Sequence, residues 1–275
     1  MAKFIHGYNL EVDPVVGSIS DDIFVKFSAV KPNIAQESIL EENGRTYAGY
    51  KKNAYFLPND AEEQARLDFQ HELYLEVTGG QLGIAPVKSP QHCLDAATGT
   101  GIWAIQYESG LPSGWHRPQP DPRRAGDPKL PLFACFDDTP AVIKKAYDCL
   151  KPGGWIEFYD VLPIVVPLDD NVRGTAVEQW YNLILQGALT AGRDMSRPES
   201  NGLWPKDATM KKIGKYFMKI QIGLVGSLNK FVRLAGLSVE EAASLEARAK
   251  EDLRDPKIHY YVNICMIYAQ KSLNA

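Results

Sequence analysis

The sequence predicts a mixed α/β protein, and three stretches carry that prediction. HCLDAATGTGIWAI (92–105) reads as a short buried strand entering a glycine turn and then an apolar helix start. TPAVIKKAYDCLKPGG (139–154) reads as an amphipathic helix with Thr139 as cap and Gly153 as stop, and the strand WIEFYDVLPIVV (155–166) follows it. IHYYVNICMIYAQ (258–270) reads as a long closing strand.

The remaining elements follow in chain order. Residues 1–44 are mixed polar and read as loop with one short helix around 34–42. GRTYAGYKKNAYFLPND (44–60) is rich in tyrosine and leads into a helix over 61–77. Asp60 with Glu63 three residues on is a capping-box-like start, and Gly79-Gly80 is the stop. Residues 81–91 form a proline-containing connection to the strand at 92–96. The stretch 108–131 holds six prolines, which lack the N–H a ladder needs, so it is a loop. LFACF (132–136) is short and apolar. In 175–194, Val177, Trp180, Tyr181, Ile184 and Leu185 recur at helical spacing and predict a stripe facing the core. A polar break at 195–208 precedes helical segments over 208–234, and Ser238 with Glu241 opens a last helix over 239–253.

Composition narrows the class. The 275 residues suffice for one large domain or two small ones, and 45% hydrophobic with 23% charged residues describe an ordinary soluble globule. A net charge of −4 supplies no electrostatic attraction to nucleic acid or an anionic membrane, so neither is expected as a partner. No run of 18 apolar residues occurs, and MAKFIHGYNLEVDP has no apolar stretch of signal-peptide length. Cys93, Cys135, Cys149 and Cys265 are widely spaced without a CxxC pair, which predicts free thiols, no metal site and a reducing, cytoplasmic setting. Lys211-Lys212 is too short for a basic nuclear signal.

The glycine turn is the chemically suggestive feature. A backbone that approaches a ligand closely must avoid Cβ atoms, and a tight strand-to-helix turn needs positive φ. The helix after it aims free N–H groups and the positive end of its dipole at the same point.

Together, LDAATGTGIWAI and CLKPGGWIEFYD resemble the class I S-adenosylmethionine-dependent methyltransferases. With GRTYAGY, YFLPND, EEQARLDFQH, FDDTPAVIKKAYDCLKPGGWIE, TAGRD, WPKD and DPKIHYYV, the chain resembles the fungal LaeA-like methyltransferases of secondary metabolism over most of 44–107 and 132–270. The resemblance implies a Rossmann-like three-layer sandwich, here with a sheet reduced in strand number and an N-terminal helical lid. Residues 1–80 would form the extension and lid, and 81–275 the methyltransferase domain, shortened at 107–131 and 195–204. It implies S-adenosylmethionine as cofactor, cradled by Asp95, Ala97, Thr98, Gly99, Thr100 and Gly101. Tyr47 and Tyr55 would be lid residues, Trp103 a pocket wall, and His71 the weak candidate for a base. The acceptor would be a small aromatic or polyketide-like molecule. The alternative is a catalytically degenerate relative, an auxiliary or regulatory partner of a biosynthetic complex, with a nuclear location by family analogy.

Three departures from the family pattern bear on that choice. Ala97 replaces a glycine, at a cost of about 1 kcal/mol if positive φ is needed. The strand that carries the acid for the ribose hydroxyls is missing; Asp121 lies about 20 residues past Gly101, but in the loop sequence PQPDPRR. TAGRD and WPKD are separated by only a few residues, without the usual helix–strand segment between them. Losing a charged hydrogen-bonded pair costs roughly 1.5–3 kcal/mol. With Ala97 this weakens cofactor binding by about 100- to 1,000-fold. The strands expected are 92–96, 155–166 and 258–270, with LPLFACF (130–136) either standing in for a middle strand or leaving the others to pair directly.

Overall fold

The computed structural model describes residues 39–49, 56–87, 90, 92–96, 99–110, 139–193, 195 and 208–274. The elements run β1 (Ile39–Glu42), β2 (Arg45–Ala48), α1 (Ala61–Val77), α2 (Ile102–Ser109), α3 (Thr139–Cys149) and β3 (Trp155–Pro167). After a single 3-10 turn (Asp170–Val172) come α4 (Ala176–Thr190), α5 (Ala208–Ser227), α6 (Asn229–Leu234), α7 (Val239–Asp252) and β4 (Tyr260–Gln270).

Local chemistry explains where the helices begin. The Asp60 carboxylate accepts the N–H of Glu63, Thr175 accepts that of Glu178, and Ser238 forms a complete capping box with Glu241. At α1 the box is only half made. The Glu63 side chain turns inward instead of back to Asp60, and meets Arg66 and the Ser227 hydroxyl. The helix expected around 34–42 is corrected over its described part, where 39–42 is a strand. Asn43 and Gly44, with φ of 52° and 74°, form the two-residue turn that folds β1 onto β2.

β3 and β4 pair antiparallel, with Trp155 opposite Gln270 and Val161 opposite Ile264. The register shifts between Leu162 and Val166, where Pro163 is tolerated because a bulge asks no ladder bond of it. The strand expected at 92–96 is likewise corrected: these residues join no ladder among the described residues. Leu94, the apolar centre of that stretch, is 83% exposed. Asp121, Cys135 and the 130–136 stretch lie outside the described residues.

The core sits among α4, α6, α7 and the inner face of β4. Trp180, Tyr181 and Ile184 present the predicted stripe to it, Phe56 stacks on Phe231 at 4.8 Å, and Tyr181 meets Tyr260 edge-on. α4 crosses α6 at Gly187, where a Cβ would stand 1.8 Å from the carbonyl oxygen of Phe231. The β1–β2 hairpin is pinned to this body by Arg45 on Asp60 and by Glu42 between Lys230 and Arg233.

Candidate functional site

α1 is unusual in what it buries. Of its seven buried residues, five are polar: Glu63, Arg66, Asp68, Gln70 and His71. Buried polar side chains are informative because desolvation must be offset by partners, and here α1 divides them between two neighbours.

One group faces the glycine turn. Gly99 and Gly101 have φ of 57° and 80°, and Gly101 caps α2. Only glycine takes this backbone without strain, so the turn has the left-handed geometry expected of it. Because its N-cap is a glycine, the first turn of α2 has no side-chain cap, and its N–H groups and dipole point toward the turn. The Thr100 hydroxyl donates to Asp68 Oδ1 at 2.6 Å. His71 Nε2 lies 2.9 Å from Gln106 Oε1, and since an amide oxygen only accepts, Nε2 carries the proton. Asp95 is half-buried beside the turn. Ala97, Thr98 and Tyr55 lie outside the described residues.

The segment before the turn is held from the other side. The Trp103 indole donates to the Leu82 carbonyl at 2.6 Å and stacks on Tyr107 at 4.5 Å. Glu157 of β3 accepts the N–H groups of Ile84 and Ala85. Burial pushes the Glu157 carboxyl up from its ordinary range, and the two N–H donors pull part of the way back. Gly83 lets the chain come this close, since a Cβ there would meet the Glu157 carboxylate at 2.8 Å. Burial also raises the Tyr107 hydroxyl, helped by nearby Cys93 and Glu157.

The second group faces the core. Arg66 donates to both oxygens of Glu63 and to Gln70, and Gln70 donates to the Tyr74 hydroxyl. Beside this network lies a cavity of about 30 Å³ lined by Leu57, Leu73, Tyr181, Phe217 and Gln221. That is room for a water molecule or two, not for a ligand.

Tyr47 stands apart from both groups. It is buried on β2 with the Lys230 ammonium 3.4 Å above its ring, and burial with Glu42 pushes its hydroxyl up to about 12. Among the described residues, no group of three or more His, Cys, Asp or Glu side chains could hold a metal ion. No helix among them is long and apolar enough to cross a membrane. Sequence reasoning missed Asp68 and Glu157. The only available signal for Asp68 was a polar residue on the same face of α1 as Leu67 and His71, and for Glu157 a charge, one of two with Asp160, inside an otherwise apolar strand.

No protein-family model matches the chain. No solved structure matches it either. Curated proteins do. Secondary metabolism regulator laeA of Aspergillus fumigatus is 28% identical over 85% of this chain and 77% of its own length. Methyltransferase pytC of Aspergillus terreus is 26% identical over 84% of this chain and 87% of its own. Protein-methionine methyltransferase laeA of Emericella nidulans is 25% identical over 88% and 79%. Over most of its length the chain is similar to LaeA-like methyltransferases, at 25–28% identity. The mixed α/β architecture with small sheets is compatible with a methyltransferase fold, and the relatives it resembles are named as methyltransferases or as regulators of secondary metabolism.

Proposed function

We propose that the chain is an S-adenosylmethionine-dependent methyltransferase of fungal secondary metabolism that acts on a small aromatic or polyketide-like acceptor. The observation that carries this is the glycine turn: Gly99 and Gly101 in left-handed conformations directly ahead of an α2 terminus with no side-chain cap. Such a terminus suits the carboxylate or hydroxyls of an amino-acid nucleoside, because N–H groups and dipole converge on it. On this reading Asp95, Ala97, Thr98, Gly99, Thr100 and Gly101 form the cradle in a Rossmann-like domain over 81–275. Residues 1–80, with Tyr47 and Tyr55, form the lid.

Bound there, the sulfonium supplies an electrophilic methyl group. What the chain must add is in-line placement of the acceptor and exclusion of water. A base is needed only when the acceptor has to lose a proton. His71 is the candidate, and its use as a base through Nε2 requires the Gln106 contact to open and the ring proton to shift to Nδ1.

A second reading has its own observation. Residues 92–96 join no ladder among the described residues and Leu94 stands 83% exposed, so no described strand stiffens the turn as a sheet does in a working cofactor domain. This favours a non-catalytic relative, an auxiliary or regulatory partner in such a pathway. Titration calorimetry with S-adenosylmethionine and its demethylated product separates the two. Saturable heats at micromolar ligand are expected; silence at millimolar ligand overturns the enzyme reading and leaves the auxiliary one.

A further inference from the structure

We propose that Asp68 is a positioning residue for the glycine turn: from α1 it holds Thr100, so that the N–H groups of the turn and of the start of α2 converge on a single ligand. The ligand named rests on the reading above; the latch itself does not.

Asp68 is 6% exposed, and carboxylates are seldom buried so far without a partner. Its partner is the Thr100 hydroxyl at 2.6 Å, the short distance of a charge-assisted hydrogen bond. Three residues further along α1, His71 meets Gln106. The two contacts come from adjacent positions on one helical face and grip the segment 100–106 at both ends. Thr100 stands between two glycines with positive φ, residues that contribute no stiffness of their own. Full burial does not supply it: no residue of α2 is fully buried, and 92–96 belongs to no strand among the described residues. The polar latch from α1 thus ties the turn to a long, well-anchored helix. It also assigns Thr100 a divided part, in which the hydroxyl proton belongs to Asp68 and the N–H is the donor left for a ligand.

The test is hydrogen exchange of the full-length, ligand-free chain, with the helix 176–190 as internal reference, followed by calorimetry with S-adenosylmethionine. Asp68→Ala and Thr100→Val should each speed exchange over 99–106 by about tenfold or more, while 176–190 keeps its protection. The double variant should do no more than either alone, because both break the same bond, and Thr100→Ser should restore protection. Unchanged exchange in both single variants, or full additivity in the double, overturns the proposal. Thr100→Val keeps the shape of the turn and serves if Asp68→Ala fails to fold. Where the wild type binds S-adenosylmethionine, the single variants should weaken binding by a factor similar to that seen in exchange. Unaltered affinity beside faster exchange overturns the positioning role. Coupled exchange in a wild type that binds no S-adenosylmethionine sinks the enzyme reading while the latch stands.

Discussion

The helical core and the glycine turn are held by opposite means. Around α4, α6 and α7, Val177, Trp180, Ile184 and Phe231 are sealed from solvent, and aromatic rings meet at stacking distance. At the turn, Leu94 and Ile105 face outward, and order comes from named polar contacts: Thr100 to Asp68, Gln106 to His71, Trp103 to Leu82, and Glu157 to two backbone N–H groups. Apolar packing is non-directional and sums over many atoms, so it tolerates small losses. Hydrogen bonds are few and directional, so each one matters to the geometry it fixes. The molecule keeps its stability in one region and its candidate chemistry in the other.

That contrast is broken most directly at Gly187. A methyl group there would overlap the Phe231 carbonyl, which is backbone and cannot rotate away. Gly187→Ala should exceed the roughly 1–3 kcal/mol of ordinary overpacking. It should remove a large part of the roughly 5–15 kcal/mol typical of a whole domain. Urea unfolding followed by circular dichroism reads the loss, and a midpoint like that of the wild type would show that α4 and α6 do not cross so closely.

Next in size is the pair where the two regions meet. Arg66 and Glu63 are both buried, and Ser227 adds a third contact. Arg66→Met leaves the Glu63 charge without its cation and should cost about 3–5 kcal/mol. Pairing it with Glu63→Leu should recover much of that, since the desolvation of both charges disappears together. If the double variant unfolds as readily as the single, the network works through hydrogen bonds to Gln70 and Ser227 and not through charge.

A smaller effect sits at Glu157. Burial raises its carboxyl above the ordinary value of 4.5 in the folded chain. A group with a raised folded value contributes stability that is complete below the unfolded value and is lost as pH climbs through the folded one. Wild-type stability should therefore decline with rising pH above about 4.5 through this residue. Glu157→Gln, whose amide oxygen still accepts the N–H groups of Ile84 and Ala85, should remove that slope. Unfolding midpoints of both proteins at about pH 4 and about pH 7 decide it, and parallel curves would discard Glu157 as the titrating group.

How much of this was legible beforehand follows the same division. The core was readable because its signals are local. Thr175, Ser238 and the stripe from Val177 to Ile184 state the helix starts and the buried face within a few residues of each other. Asn43-Gly44 between two β-prone runs was an equally local hairpin signal, and reading 34–42 as a helix overlooked it. The turn itself was visible in its glycines. Its supports were not, because Asp68 to Thr100 and Glu157 to Ile84 are contacts between elements distant in the chain. Glu63 shows the limit even for local rules: its spacing from Asp60 fits a capping box, yet the buried Arg66 and Ser227 outbid the Asp60 N–H.

The smallest expected effect is the sharpest test of the comparison. Leu94 lies at the centre of an apolar stretch that reads as a buried strand, yet its side chain is 83% exposed. At that exposure Leu94→Ala removes few contacts and should shift stability by no more than about 0.5 kcal/mol. A leucine enclosed in a central strand would instead lose about 2–5 kcal/mol. The two outcomes do not overlap, so one unfolding curve separates them. A loss in the upper range would place 92–96 inside a sheet and give the glycine turn the stiff support of a cofactor domain. The latch at Asp68 would then be a supplement to that support and not its replacement.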